Sequence, residues 1–136
     1  MGIRGRCLCG DVRFEIASTP EVMGVCHCRD CQRQTGSAFS TMASVPKADF
    51  TISRGVPQVY AGRETKSGNA AEVCFCGSCG SPICTLLADQ PDVVYVKTGA
   101  LEDTSWFEPQ FHVWTDHKQQ WVNLEPQAEG KQRLRD

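Results

Sequence analysis

Nine cysteines occur among 136 residues, and their placement is more telling than their number. They fall in three short clusters, Cys7-Leu8-Cys9, Cys26-His27-Cys28-Arg29-Asp30-Cys31 and Cys74-Phe75-Cys76-Gly77-Ser78-Cys79, with Cys84 standing alone. Thiols one or two residues apart can point at a common centre, as a tetrahedral thiolate cage requires. An odd total and close spacing make a disulfide framework the weaker reading. Sulfur donors suit zinc better than calcium or magnesium, which prefer oxygen; iron in a four-thiolate site is the competing metal.

Cys76-x-x-Cys79-Gly80 has the knuckle form, in which glycine supplies a positive φ and frees backbone N–H groups to face the sulfurs. Cys7-x-Cys9-Gly10 ends in a similar Cys-Gly step, and the two pairs together make a closed, structural four-thiolate site. Cys26-x-Cys28-x-x-Cys31 is then left as a three-thiolate cluster. Three protein ligands and one open position mark reactive zinc, and the open vertex can take water or an outside thiol. Cys74, Cys84 or a histidine could instead fill that vertex. Cys74-x-Cys76-x-x-Cys79 repeats the spacing of the triple cluster, so a ligating Cys74 would overturn the division into four and three. Cys84 reads most simply as a buried core thiol. In a strand, His27 would point away from a metal held by its neighbours, in a supporting role, whereas His117 in Asp116-His117-Lys118 reads as solvated.

These clusters need rigid elements to hold them. Val, Phe, Ile and Tyr gather in short segments separated by Gly, Pro and Asp, the pattern of a mainly β chain. Candidate strands are 5–9, 11–17, 23–27, 40–45, 50–54, 58–61, 72–76, 83–87, 93–98 and 111–114. The clearest is Val12-Arg13-Phe14-Glu15-Ile16, whose strict alternation leaves one face wet. One short helical turn is expected over 28–34, with Gly36 as its left-handed terminator. Trp106-Phe107, Trp114 and Trp121 are read as cover for the sheet. The polar run 63–69 is read as a loop near the third cluster, and residues 125–136 as a polar, flexible tail behind a single zinc-binding β domain of residues 1–124.

With 40% hydrophobic and 22% charged residues the chain can build a core. A formal net charge of −2 gives no electrostatic reason for a nucleic-acid or anionic-membrane partner. No apolar run approaches the roughly 18 residues of a membrane span, and the N-terminus lacks the apolar region of a secretory signal, so the cytoplasm is the default compartment.

In order along the chain, Gly5-x-Cys7-x-Cys9-Gly10-x-Val12, Cys26-His27-Cys28-x-x-Cys31-x-x-x-x-Gly36-Ser37, Phe75-Cys76-x-x-Cys79-Gly80-Ser81-Pro82 and Pro109-x-x-His112-x-Trp114 resemble the glutathione-dependent formaldehyde-activating enzyme family, related to centromere protein V. The likeness runs from Gly5 to about Trp121. It implies a β-tent zinc fold of small antiparallel sheets pinned by metal. It also implies two Zn²⁺ per chain, structural on Cys7, Cys9, Cys76 and Cys79 and catalytic, more labile, on Cys26, Cys28 and Cys31. Cys74 and Cys84 fall outside the pattern. The implied activity is that of a carbon–sulfur lyase acting on glutathione, or a similar small thiol, and formaldehyde or a related aldehyde, making or breaking an S-hydroxymethyl thiol adduct. Arg33, Gly36, Ser37 and His112 are the candidate contacts to the thiol substrate, with Arg29, Arg63 and Lys66 as further partners for its carboxylates. Backbone N–H groups around 33–37 are candidates to hold the developing alkoxide. Two alternatives from other classes are a thiol carrier that binds without turnover and a metal-stapled interaction module. The oligomeric state is not legible.

Overall fold

A computed structural model describes residues 2–64, 70–124 and 132–133. Eleven strands and one α-helix follow in order: β1 (Ile3–Arg6), β2 (Arg13–Ile16), β3 (Val22–Cys26), α1 (Arg29–Thr35), β4 (Ser40–Pro46), β5 (Phe50–Arg54), β6 (Gln58–Glu64), β7 (Ala70–Phe75), β8 (Pro82–Leu87), β9 (Val93–Lys97), β10 (Phe111–Val113) and β11 (Gln132–Arg133). The fold is mainly β, and the expected segments appear as strands with shifted ends. The helix occupies 29–35, one residue later than its expected 28–34, because Cys28 serves as N-cap and accepts from Cys31 N. Gly36 closes it at φ 65°, in the left-handed region that the sequence assigned to it.

The strands form two sheets, β1-β2-β5 and β11-β10-β3-β4-β9-β8-β7-β6. All pairings of the small sheet are antiparallel. The large sheet is mixed, because β10 runs parallel to both β3 and β11. The alternation in β2 turns Phe14 and Ile16 inward, and they are all but fully buried against Val45, Ile83, Val94 and Val96 of the large sheet. Phe14 also packs on Phe50, ring centroids 5.3 Å apart. Cys7 and Cys76, one from each knuckle, belong to this same core, so the knuckles sit where the sheets meet.

Some expectations change. Arg63 and Glu64 extend β6 instead of opening a loop, and residues 65–69, Lys66 among them, lie outside the described residues. Most of 125–136 also lies outside them, but Gln132 and Arg133 pair in parallel with His112 and Val113. Trp114 is buried and Trp106 packs against the core, whereas Trp121 is 70% exposed. Among the described residues no helix is long and apolar enough to cross a membrane.

Candidate metal centres and substrate cleft

The two knuckles are built alike. Cys7 N donates to Val12 O at 3.0 Å and Gly10 N to Cys7 O at 3.2 Å; in the second knuckle, Cys76 N donates to Ser81 O at 2.9 Å and Gly80 N to Cys76 O at 2.8 Å. Both turns need a glycine, since Gly10 has φ 84° and Gly80 φ 80°. Backbone N–H groups reach the sulfurs, Val12 N to Cys7 Sγ at 3.3 Å and Ser78 N to Cys76 Sγ at 3.4 Å. Ser81 ties the knuckles together: its Oγ accepts from Leu8 N at 2.9 Å and lies 3.2 Å from Cys79 Sγ. The sulfurs of Cys7, Cys9, Cys76 and Cys79 all fall within 4.8 Å of one another.

Tetrahedral zinc with Zn–S bonds near 2.3 Å places its sulfurs about 3.8 Å apart. Cys7 Sγ and Cys9 Sγ are 3.6 Å apart, and Cys9 Sγ and Cys76 Sγ 3.8 Å. These two separations agree with a tetrahedral thiolate site, and all four sulfurs are close enough to share one ion.

Cys26 ends β3, Cys28 caps α1 and Cys31 sits in the helix's first turn, so strand, cap and helix each contribute one sulfur. These three sulfurs also lie within 4.8 Å of one another, and among the described residues no fourth histidine, cysteine or carboxylate joins them. Trp114, Met42 and Phe111 pack around the group. Neighbouring Cys26, then Cys31, holds the Cys28 thiol far below its usual range, to about 2; contact with Cys28 pushes Cys26 up to about 11. The Cys31 thiol is pushed up as well, by Cys26 and then by Cys28. Crowding three sulfurs together disfavours ionising all of them unless a cation lies among them.

Cys74 and Cys84 join neither group. They face each other across β7 and β8, both buried in the core, which agrees with reading Cys84 as a core thiol.

Gln32 was missed by sequence reasoning and anchors the helix. It is 4% exposed, and its Nε2 donates to His27 O at 2.7 Å and to His117 O at 3.1 Å. Its Oε1 accepts from Gln119 Nε2 at 3.2 Å and also from Arg29. His117, expected to be solvated, is half-buried with its ring 5.4 Å from that of Trp114.

Arg33, Gly36 and Ser37 do come together. With Arg29, Gln32, Ala38 and Gln119 they line an open cleft of about 380 Å³ along α1. His112 does not join them. It pairs with Val25, whereas Cys26 pairs with Val113, so His112 faces the side of the sheet opposite Cys26. Its Nδ1 lies 2.9 Å from His27 Nε2, and the two buried rings stack. His27 thus points away from the sulfurs, as a strand register predicts. The backbone N–H groups proposed for an alkoxide are already spent: Gly36 N donates to Gln32 O at 2.9 Å and Ser37 N to the same oxygen at 3.3 Å, closing the helix.

A wider cavity, about 720 Å³, shares Ser37 with that cleft. Thr35, Ser37, Phe39, Ser40, Thr41 and Lys97 line one end of it, and Arg6, Cys7, Leu8 and Ser81 another. Sequence reasoning passed over Ser40 and Lys97 too. Their signal is slight, a polar residue opening one apolar strand and a lysine closing Val93-Val94-Tyr95-Val96-Lys97.

The comparisons with known proteins agree with this architecture. The family profile described as glutathione-dependent formaldehyde-activating enzyme matches residues 2–117. A relative from Halomonas elongata, named "Putative glutathione-dependent formaldehyde-activating enzyme", is 24% identical over 135 residues, covering 96% of this chain and 86% of the relative. A crystal structure of a Rhodobacter sphaeroides protein is similar in fold, with a TM-score of 0.58 and 24% identity, over 78% of this chain and 91% of that one. With the profile spanning nearly all of the described fold, this chain belongs to the glutathione-dependent formaldehyde-activating enzyme family.

Proposed function

We propose that the protein catalyses the reversible addition of glutathione, or a similar small thiol, to formaldehyde, forming S-hydroxymethylglutathione. The observation that carries this reading is the three-sulfur group of Cys26, Cys28 and Cys31, with no fourth protein ligand beside it among the described residues. On this reading Cys7, Cys9, Cys76 and Cys79 hold a structural Zn²⁺, and Cys26, Cys28 and Cys31 hold a second. Zinc at a site with an open position supplies thiolate at neutral pH, where a free thiol of pKa near 8.5 is mostly protonated.

The chain's own residues bind and orient the reactants. Arg29 and Arg33 offer planar, two-pronged donors to the carboxylates of glutathione, in a cleft beside the helix that bears Cys31. Gln32 holds that helix against the His27 and His117 carbonyls, and so fixes Cys28 and Cys31 relative to Cys26. His27 and His112 support β3 and β10 from the opposite face.

The test is exchange NMR of formaldehyde, glutathione and their adduct, with full-length zinc-loaded protein. Wild type is expected to accelerate exchange above the uncatalysed rate, and Cys28→Ala to abolish the acceleration. Native mass spectrometry should count two zincs in wild type and one in Cys28→Ala. Glutathione binding without accelerated exchange would favour a thiol carrier instead.

A further inference from the structure

Lys97 is the one lysine buried to 6% exposure among the described residues, although it lines the larger cavity. An ammonium has three N–H donors, and Lys97 Nζ spends one of them on Ser40 Oγ, at 2.7 Å. Burying such a group without a counter-ion is costly, and proteins keep one where it meets an anion. The strand register shows where that anion would lie. Lys97 pairs with Met42 across β4 and β9, and Ser40 pairs with Cys26 across β3 and β4. Ser40 and Met42 are two apart on one strand, so Cys26, Ser40, Met42 and Lys97 present to one face of the sheet. Met42 packs against the buried cluster of Cys26, Val113 and Trp114, as Cys28 and Cys31 do. Burial pushes the ammonium below its usual range, and the sulfurs of Cys31, Cys26 and Cys28 pull it part of the way back.

We propose that Lys97, with Ser40 beside it, forms an oxyanion-binding pair on the cavity wall next to Cys26, Cys28 and Cys31 and takes the carbonyl oxygen of the aldehyde. This rests on the thiol–aldehyde reading above. In the addition, the thiol sulfur forms the new bond to carbon and the π pair of C=O moves to oxygen. The proton given up by the thiol ends on that oxygen, and nothing is oxidised or reduced. A fixed cation facing the oxygen stabilises the charge as it develops and requires no reorganisation. The role initially assigned to backbone N–H groups at 33–37 passes to this side-chain pair, because those groups already close the helix. The exposed guanidinium groups of Arg29 and Arg33 remain for the carboxylates of the thiol, at the separate cleft.

Two readouts on the full zinc-loaded chain test the pair, one of them independent of turnover. The first is steady-state exchange kinetics for wild type, Lys97→Met, Lys97→Arg and Ser40→Ala. Lys97→Met is expected to lower kcat/KM for formaldehyde by about 10²–10³-fold, the range for removing one oxyanion donor. Calorimetric affinity for glutathione should stay within about twofold, Lys97→Arg should recover part of the rate, and Ser40→Ala should lose less than Lys97→Met. The second readout titrates formate, an unreactive one-carbon oxyanion, while following the Lys97 side-chain methylene resonance, assigned by its loss in Lys97→Met. A saturable shift that weakens in Ser40→Ala supports the pair. A resonance that ignores formate overturns the proposal, as does a Lys97→Met that loses glutathione affinity and keeps its aldehyde kinetics. If wild type accelerates no exchange and the Lys97 resonance still saturates with formate, the thiol–aldehyde reading fails and the oxyanion site stands. If Lys97→Met does not fold, Lys97→Arg and Ser40→Ala carry the test.

Discussion

Cys76 belongs to the four-sulfur group and to the core at once, 1% exposed and packed among Phe14, Ile83 and Val94. Cys79, three positions on in the same turn, is only half-buried, and contact with the Ser81 hydroxyl holds its thiol down to about 5. The two should therefore differ on substitution. Cys76→Ser removes a ligand and places a hydroxyl in the apolar core, at an expected cost of about 4 kcal/mol or more. Cys79→Ser removes the ligand alone and should cost less; the order of the two melting temperatures, with zinc counted by mass spectrometry, decides it. The two sulfur groups were legible from spacing because their members are mostly close neighbours in sequence. Gln32, Ser40 and Lys97 were not, since each works through a partner remote in sequence: Gln32 reaches His117, and Lys97 reaches Ser40, 57 positions away.

At the scale of elements, α1 and β10 position the three-sulfur group, and each depends on one glycine. A Cβ at Gly36 would meet nothing within 4 Å, so Gly36→Ala isolates the penalty of φ 65° without a clash. That penalty is expected at about 1–2 kcal/mol, read as a lowered melting temperature. At Gly24 the obstacle is steric: its Cβ would lie 2.4 Å from the Phe111 ring, which covers it from β10. Gly24→Ala must push Phe111 aside and loosen β10 beside Cys26. It is expected to weaken metal retention at the three-sulfur group while leaving the knuckles loaded, as zinc counts after brief dialysis would show. The helix and its terminator could be read from Gly36, and β2 from its alternation. The parallel pairing of β10 with β3 could not, because it joins residues 85 or more apart and no local pattern encodes such a pairing. Trp121 was misjudged for a related reason: aromatic character marks a residue able to bury area, and only the path of the chain after Lys118 leaves it exposed.

For the whole molecule, the two cages should respond differently to chelator and to acid. Coordination needs thiolates, so falling pH protonates the sulfurs and strips the metal, and rising pH restores binding. The three-sulfur group offers one ligand fewer and is expected to lose zinc first in both titrations. Circular dichroism should stay near native after that first loss and collapse with the second; simultaneous loss of both ions would contradict this. The reason lies in how much chain each cage encloses. Cys9 and Cys76 meet across 67 positions, tying the small sheet to the large one, whereas Cys26 to Cys31 spans a single strand-to-helix turn. A cross-link over the longer span removes about 4 kcal/mol of chain entropy from the unfolded state, against about 2 kcal/mol for the short one. The knuckle ion would accordingly leave only at the rate at which the molecule opens, and the ion of the three-sulfur group would exchange with outside thiols and metal while the protein stays folded.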